Sequence, residues 1–120
     1  MSAGRLTTHV LDTAHGIPAA GMRITLHRVT GESTREMVRT MVTNRDGRTD
    51  SPLIAPGDLE RGEYILVFET GAYWAAQGVP VSDPPFLDNI PIRFGVGDPD
   101  ANYHVPLLCS PWSYSTYRGS

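Results

Sequence analysis

Glycine and proline are spread along the whole chain, and this distribution restricts it to short secondary-structure elements. The 120 residues include 12 glycines and 10 prolines, and the longest stretch without either runs from Glu32 to Asp46. Proline lacks a backbone N–H, and glycine weakens the interior of a helix or strand. We therefore expect short strands separated by turns, and no long helix.

Runs of strand-forming residues between turns, several of them alternating apolar and polar, predict eight strands. They are Leu6–Asp12, Arg23–Val29, Met37–Thr43, Thr49–Leu53, Tyr64–Thr70, Ile90–Val96, Tyr103–Cys109 and Tyr114–Arg118. The fifth of them, Tyr64–Thr70, is apolar on both faces, which is typical of a central strand. Eight short strands in this length favour an all-β fold, an antiparallel β-sandwich of two sheets, in a single domain over residues 1–120.

Two features interrupt the strand pattern. The segment Gly71–Gly78 is rich in alanine and ends in glycine, so it predicts one short helix after the fifth strand. Pro91 and Pro106 fall inside predicted strands. Because neither has an N–H to donate, each should lie at a sheet edge or a bulge.

Charge and hydropathy exclude several classes of protein. The formal net charge is −3 at pH 7, and the ten basic residues, all arginines, form no cluster, so nucleic-acid binding is not expected. No apolar run approaches the roughly 20 residues of a membrane span, so no membrane partner is expected. Residues Met1–Arg5 lack the apolar core of a secretory signal, which favours a cytoplasmic protein.

The histidines and the one cysteine predict no metal site and no cofactor. The histidines are His9, His15, His27 and His104. No two of them have the spacing of a metal-ligand pair, and Cys109 has no partner cysteine. Cys109 follows two leucines and should be a small buried residue. His15 should lie in a loop, His27 should face solvent, and His104 should point away from the core.

Four segments together resemble a known family. They are Leu6–Thr13 with its continuation Gly16–Ala19, Asn44–Arg48, Tyr103–Leu108 with its continuation Ser110–Pro111, and Tyr117–Ser120. In order and spacing the chain resembles the 5-hydroxyisourate hydrolases, the enzyme branch of the transthyretin-like family. Cys109 stands where that family often has leucine, and its side of the strand faces the expected core.

The resemblance implies a fold, an activity and an assembly. The fold is the transthyretin-like sandwich with its helix after the fifth strand. The activity is ring opening of 5-hydroxyisourate, a product of urate oxidation, by attack of water on a ring carbonyl. The resemblance assigns catalysis to His9, Arg48, His104 and Ser120. It assigns the substrate pocket to Tyr117, Arg118 and Gly119. It also implies a homotetramer, a dimer of dimers, with the sites at a subunit interface.

The chemistry of these residue types suits such a reaction. Histidine transfers protons near neutral pH because its unperturbed pKa is about 6.5, so His9 and His104 could divide the base and acid roles. Arg48 could stabilise the oxyanion and hold a planar substrate. Ser120 offers a hydroxyl and a carboxylate that could orient water or a histidine. No serine lies in a Gly-x-Ser-x-Gly segment, so an acyl-enzyme is not expected.

Two other readings stay open at this level. The first is a non-enzymatic small-molecule carrier with the same fold. The carrier branch of the resembled family shares the fold but lacks the set of His9, Arg48, His104 and the terminal Arg-Gly-Ser. A plain β-sandwich interaction module leaves that polar set unexplained. Taken singly, each of these residues is more often a solvated or packing residue than a catalytic one.

Overall fold

The computed structural model describes residues 3–120. Met1 and Ser2, which belong to the predicted domain and to the N-terminal segment without a secretory signal, lie outside the described residues. Its elements in chain order are β1 Leu6–Thr7, β2 Val10–Asp12, β3 Ile17–Pro18, β4 Arg23–Val29, β5 Arg35–Val42, β6 Gly62–Glu69, α1 Thr70–Ala76, β7 Asn89–Val96, β8 Tyr103–His104, β9 Leu107–Cys109 and β10 Tyr114–Ser115. The helix lies directly after β6, the strand predicted as the fifth, and it is not long and apolar enough to cross a membrane.

Two sheets pack face to face around the core. One has the order β5-β4-β6-β7 and is antiparallel throughout; the other has the order β10-β9-β2-β3 and is accompanied by the pair β1-β8. Alternate residues of β6, such as Leu66 and Phe68, are fully buried with Val10 and Leu107 of the other sheet. The all-β sandwich prediction is confirmed, because this alternation is what gives each sheet an inner apolar face.

The two strands that carry the predicted histidines are each broken in the middle. The predicted strand Leu6–Asp12 divides into β1 and β2, and Tyr103–Cys109 divides into β8 and β9. The halves pair in parallel, β1 with β8 and β2 with β9, in an otherwise antiparallel fold. Pro106 lies at the break and donates no hydrogen bond, as expected. The N–H of Val10 bonds to the carbonyl oxygen of Gly47 instead, at 2.8 Å.

The strand predictions for three segments are wrong. Thr49–Leu53 forms bends, and only the next residue, Ile54, makes an isolated bridge to Leu6. Proline at position 52 removes a donor there. The last strand ends at Ser115 rather than Arg118, and the short β3 occupies a segment in which no strand was predicted. By contrast, β6 is central between β4 and β7, and Pro91 lies in the edge strand β7, as expected.

A buried polar cluster fixes α1 to the core. The hydroxyl of Tyr73 donates to Oδ2 of Asp12 at 2.7 Å, and the backbone N–H of His15 donates to Oδ1 at 2.9 Å. The side chain of Asp12 is fully buried, so these donors replace the water it loses. Cys109 is also buried, as predicted, and burial raises the pKa of its thiol to about 12. His15 lies in a turn, again as expected.

Candidate active site

His104 is held by a neighbour on the adjacent strand. It ends β8, where it lies opposite Thr7 of β1 in parallel register, and its Nδ1 lies 2.9 Å from Oγ1 of Thr7. Tyr103 and Val105 on either side are buried, whereas the ring of His104 points away from the core, as the alternation predicted. The contact with Thr7 leaves Nε2 as the ring nitrogen available to a ligand.

The C-terminal segment reaches His104 through Gly119. The N–H of Gly119 donates to the carbonyl oxygen of His104 at 2.7 Å, and the N–H of His104 donates to that of Gly119 at 3.3 Å. This isolated bridge, rather than a continuous strand, ties the backbone here. Ser120 follows directly and lines the same cleft as His104.

Arg48 is placed by the tight turn Asn44–Arg48. Oδ1 of Asn44 accepts from the N–H of Arg48 at 3.2 Å, and the N–H of Asn44 donates to the carbonyl oxygen of Arg48 at 2.7 Å. Gly47 adopts a φ of 75°. A Cβ there would lie 2.3 Å from the carbonyl oxygen of Val10, so only glycine lets the turn pack against the break between β1 and β2.

His9 is bound to the same turn. Its Nε2 donates to the carbonyl oxygen of Asp46 at 2.9 Å. Because a carbonyl oxygen can only accept, Nε2 of His9 carries a hydrogen in this contact, which leaves Nδ1 as its other ring nitrogen. His9 is half-buried in the break between β1 and β2, within electrostatic range of His104.

An open cleft of about 370 Å³ joins these parts. Three of the four predicted catalytic residues line it, Arg48, His104 and Ser120, while His9 lies beside it. Burial lowers the pKa of His104 below its ordinary value of 6.5, and the charges of Arg48 and His9 lower it further. His104 is therefore largely neutral at neutral pH and is suited to accept a proton at Nε2.

Tyr117 and Arg118 lie on the other side of the terminal segment. Both line a second cavity of about 230 Å³, against Ile92 of β7. The guanidinium carbon of Arg118 lies 4.4 Å from the centre of the Tyr103 ring, an attractive arrangement of a cation over an aromatic face. Within one chain the structure therefore does not bring these two side chains into the His104 cleft, and their role in substrate binding stays a prediction.

Thr7 is the site residue that the sequence analysis left without a role. It belongs to a matching segment and shares a face with Leu11, but its proximity to His104 depends on parallel pairing of strands almost a hundred residues apart. Alternation does not reveal such a partner. Within residues 3–120, no three His, Cys, Asp or Glu side chains come together in a group that could hold a metal ion.

The chain resembles known proteins over almost its whole length. The model described as the HIUase/Transthyretin family matches residues 6–119. A curated relative, the 5-hydroxyisourate hydrolase of Deinococcus radiodurans, is 59% identical over 115 residues, which cover 96% of this chain and 95% of that protein.

Two solved structures share the fold. An (S)-allantoin synthase superposes with a TM-score of 0.92 at 51% identity; the match covers 98% of this chain and 44% of that one. A sea bream transthyretin, solved in complex with thyroxine, superposes with a TM-score of 0.84 at 29% identity, over 96% of this chain and 94% of that one.

Proposed function

The chain belongs to the HIUase/Transthyretin family, and on that premise we propose that it is a hydrolase that opens 5-hydroxyisourate to 2-oxo-4-hydroxy-4-carboxy-5-ureidoimidazoline in urate catabolism. The observation that carries this function is a largely neutral His104 facing the same cleft as Arg48 and Ser120. Close relatives carry the name of this enzyme over nearly the full chain.

The first step is the attack of water on a ring carbonyl. The lone pair at Nε2 of His104 takes one proton of the water while the oxygen bonds to the carbonyl carbon. The hydroxyl of Ser120, at the same cleft, can orient that water. The lowered pKa of His104 keeps the ring in the form that accepts a proton.

The developing oxyanion needs a positive group that is already in place. Arg48 lines the cleft and presents planar N–H donors that suit the carbonyl oxygens of the substrate. Its turn is fixed by Gly47 and Asn44, so little reorganisation is needed when charge develops. The same charge raises the cost of an imidazolium at His104, which favours prompt release of the proton.

The second step breaks the cyclic amide. The tetrahedral intermediate collapses, the carbon–nitrogen bond breaks, and the leaving nitrogen takes the proton from Nε2 of His104. The carbonyl carbon becomes a carboxylic acid, so substrate and one water balance the product. His9, with Nε2 fixed on the carbonyl oxygen of Asp46, is placed to exchange a proton through Nδ1.

A small-molecule carrier is the alternative function, because a transthyretin solved with thyroxine shares the fold. The two functions differ in stoichiometry. A carrier binds about one equivalent per site, whereas a hydrolase converts substrate in large excess. At early times, mass spectrometry should show product heavier than substrate by one water, in many-fold excess over protein and well above the amount in a matched sample without protein; an amount equal to that of the protein-free sample contradicts the enzyme.

A homotetramer completes the proposal. The edge strands β7 and β10 flank the cavity that Tyr117 and Arg118 line, and unpaired edges of this kind can pair with a second copy. Leu11 and Leu108 face each other on the outer surface of the other sheet and are only half-buried, so a second dimer could cover them together with the cleft. Light scattering tests this, and a mass near the 13.1 kDa of one chain contradicts it.

A cytoplasmic location also belongs to the proposal. Cell fractionation with an antibody against the chain tests it, and recovery of the chain outside the cytoplasmic fraction contradicts it.

A further inference from the structure

The hydroxyl of Thr7 contacts a catalytic group but has no step in the reaction described above. Its Oγ1 lies 2.9 Å from Nδ1 of His104. The two residues lie opposite each other in the β1-β8 pair, and the N–H of Val105 donates to the carbonyl oxygen of Thr7 at 2.9 Å. The backbone thus fixes the distance between the hydroxyl and the ring.

The neighbour of Nδ1 decides which form of the neutral ring is present. Proton acceptance at Nε2 requires the tautomer that carries its hydrogen on Nδ1. A hydroxyl oxygen can accept that hydrogen. The Nδ1–H of His104 then donates to Thr7 before, during and after the transfer at Nε2, so the ring need not turn or exchange tautomers within a turnover.

We propose that Thr7 is the positioning residue of His104: its Oγ1 accepts from Nδ1–H, which holds the ring in the tautomer and orientation that expose the Nε2 lone pair to the cleft. The proposal rests on the proposed hydrolase function. Thr7 also lines the cleft, but its proposed role is exerted through the histidine and not on the reacting atoms.

A neutral partner suits this position better than a carboxylate. A carboxylate beside Nδ1 favours the imidazolium and so raises the pKa of histidine. Two charged groups act on His104, Arg48 and His9, and both disfavour the imidazolium. The other charged groups that line the cleft are Arg5, Asp50 and the terminal carboxylate of Ser120. Threonine fixes the ring without opposing Arg48, so the base stays unprotonated near neutral pH.

The test compares Thr7→Val, which keeps the shape and loses the hydroxyl, with Thr7→Ser, which keeps the hydroxyl. In Thr7→Val we expect kcat to fall by up to about 10²-fold, the scale of a misplaced catalytic group, with KM near wild type. Thr7→Ser should recover most of kcat. Thr13→Val is the matched control, because that hydroxyl donates to the carbonyl oxygen of Cys109 at 3.0 Å, away from the cleft.

A second readout is independent of activity. The ¹⁵N chemical shifts of the ring nitrogens, recorded without substrate, should show the Nδ1–H tautomer of His104 in wild type and Thr7→Ser. Thr7→Val should lose that preference. Comparison with His104→Gln assigns the signals. Should Thr7→Val fail to fold, Thr7→Ala serves as the second variant for both readouts.

The outcomes separate the two claims. A folded Thr7→Val with wild-type kcat, or with an unchanged Nδ1–H tautomer, overturns the role of Thr7 and leaves the hydrolase function standing. A wild-type protein that does not turn over 5-hydroxyisourate overturns the function, while the nitrogen shifts still decide whether Thr7 sets the tautomer.

Discussion

Gly119 and His104 face each other across an antiparallel bridge and exchange both of their backbone hydrogen bonds. The approach is close enough that a Cβ on Gly119 would lie 2.9 Å from Cδ2 of the His104 ring. The absence of a side chain at position 119 therefore helps to set where the ring lies. The C-terminal segment shapes the site through its backbone as well as through Ser120.

Gly119→Ala should displace the His104 ring and lower kcat by up to about 10²-fold, because a small misplacement of a proton-transfer group is costly. A Cβ at position 119 would also lie 3.0 Å from Cβ of His104, so the bridge itself has to shift; the melting temperature should change little, because this isolated bridge lies one residue from the chain end. Gly97→Ala is the control, because a Cβ there meets no atom within 4 Å. Equal kcat values for the two variants would contradict this role of Gly119.

His104→Ala and Arg48→Ala should each lower kcat/KM severely while the fold survives. Loss of a group that transfers a proton typically costs about 10²–10⁴-fold, and loss of an oxyanion donor about 10²–10³-fold. Both side chains lie outside the hydrophobic core, so the circular dichroism spectrum of each variant should match that of wild type. His27→Ala is the control. Because His27 lies on β4 in the opposite sheet, this variant should have wild-type activity. A near-wild-type rate removes the mutated residue from the mechanism.

The pKa of His104 should lie below 6.5 and should depend on Arg48. Burial is the larger cause of the lowering, and the Arg48 charge adds to it by penalising the imidazolium. The activity of wild type should therefore persist below pH 6.5 before it falls. In Arg48→Gln the pKa of His104 should be higher than in wild type but still below 6.5, because the burial remains. Proton NMR titration of the ring measures both values, and an unchanged pKa in Arg48→Gln contradicts the coupling.

Tyr73→Phe should destabilise the protein, most clearly in acid. Burial alone would raise the pKa of Asp12, but hydrogen bonds from His15 and Tyr73 outweigh it and keep that pKa below 3.8. The stabilisation is therefore complete above about pH 4 and is lost as pH falls through the folded-state pKa.

Removing one donor to this buried carboxylate should cost about 1–3 kcal/mol of unfolding free energy. It should also move the onset of acid unfolding to higher pH. Urea unfolding at pH 7 and at pH 3 measures both effects. Superimposable curves for wild type and Tyr73→Phe would show that Asp12 does not depend on this bond.

Much of the fold could be predicted because alternation is a local signal. It located β4, β6 and β7, the orientation of His104 and the burial of Cys109, each of which depends on side chains a few residues apart. It did not predict the parallel pairing of β1 with β8, because the direction of a partner strand is not encoded in either strand alone.

In the site, too, local features could be predicted and contacts between distant segments could not. Of the four catalytic residues that the family resemblance named, the structure brings Arg48, His104 and Ser120 to one cleft, and His9 is not among the residues that line it. Thr7 was passed over because its role comes from a contact across 97 positions of sequence. The positions of the Tyr117 and Arg118 side chains depend on which side of the terminal segment each one lies. The sequence predicted only that Tyr114–Arg118 forms a strand, and this does not determine the side.

The most direct test of the account is the ultraviolet decay of freshly generated 5-hydroxyisourate, with and without the protein. Wild type should accelerate the decay in proportion to enzyme concentration and through many turnovers per site. His104→Ala, at equal concentration and with the same circular dichroism spectrum, should leave the decay close to the spontaneous rate. A wild-type protein that leaves the spontaneous rate unchanged would contradict the proposed function.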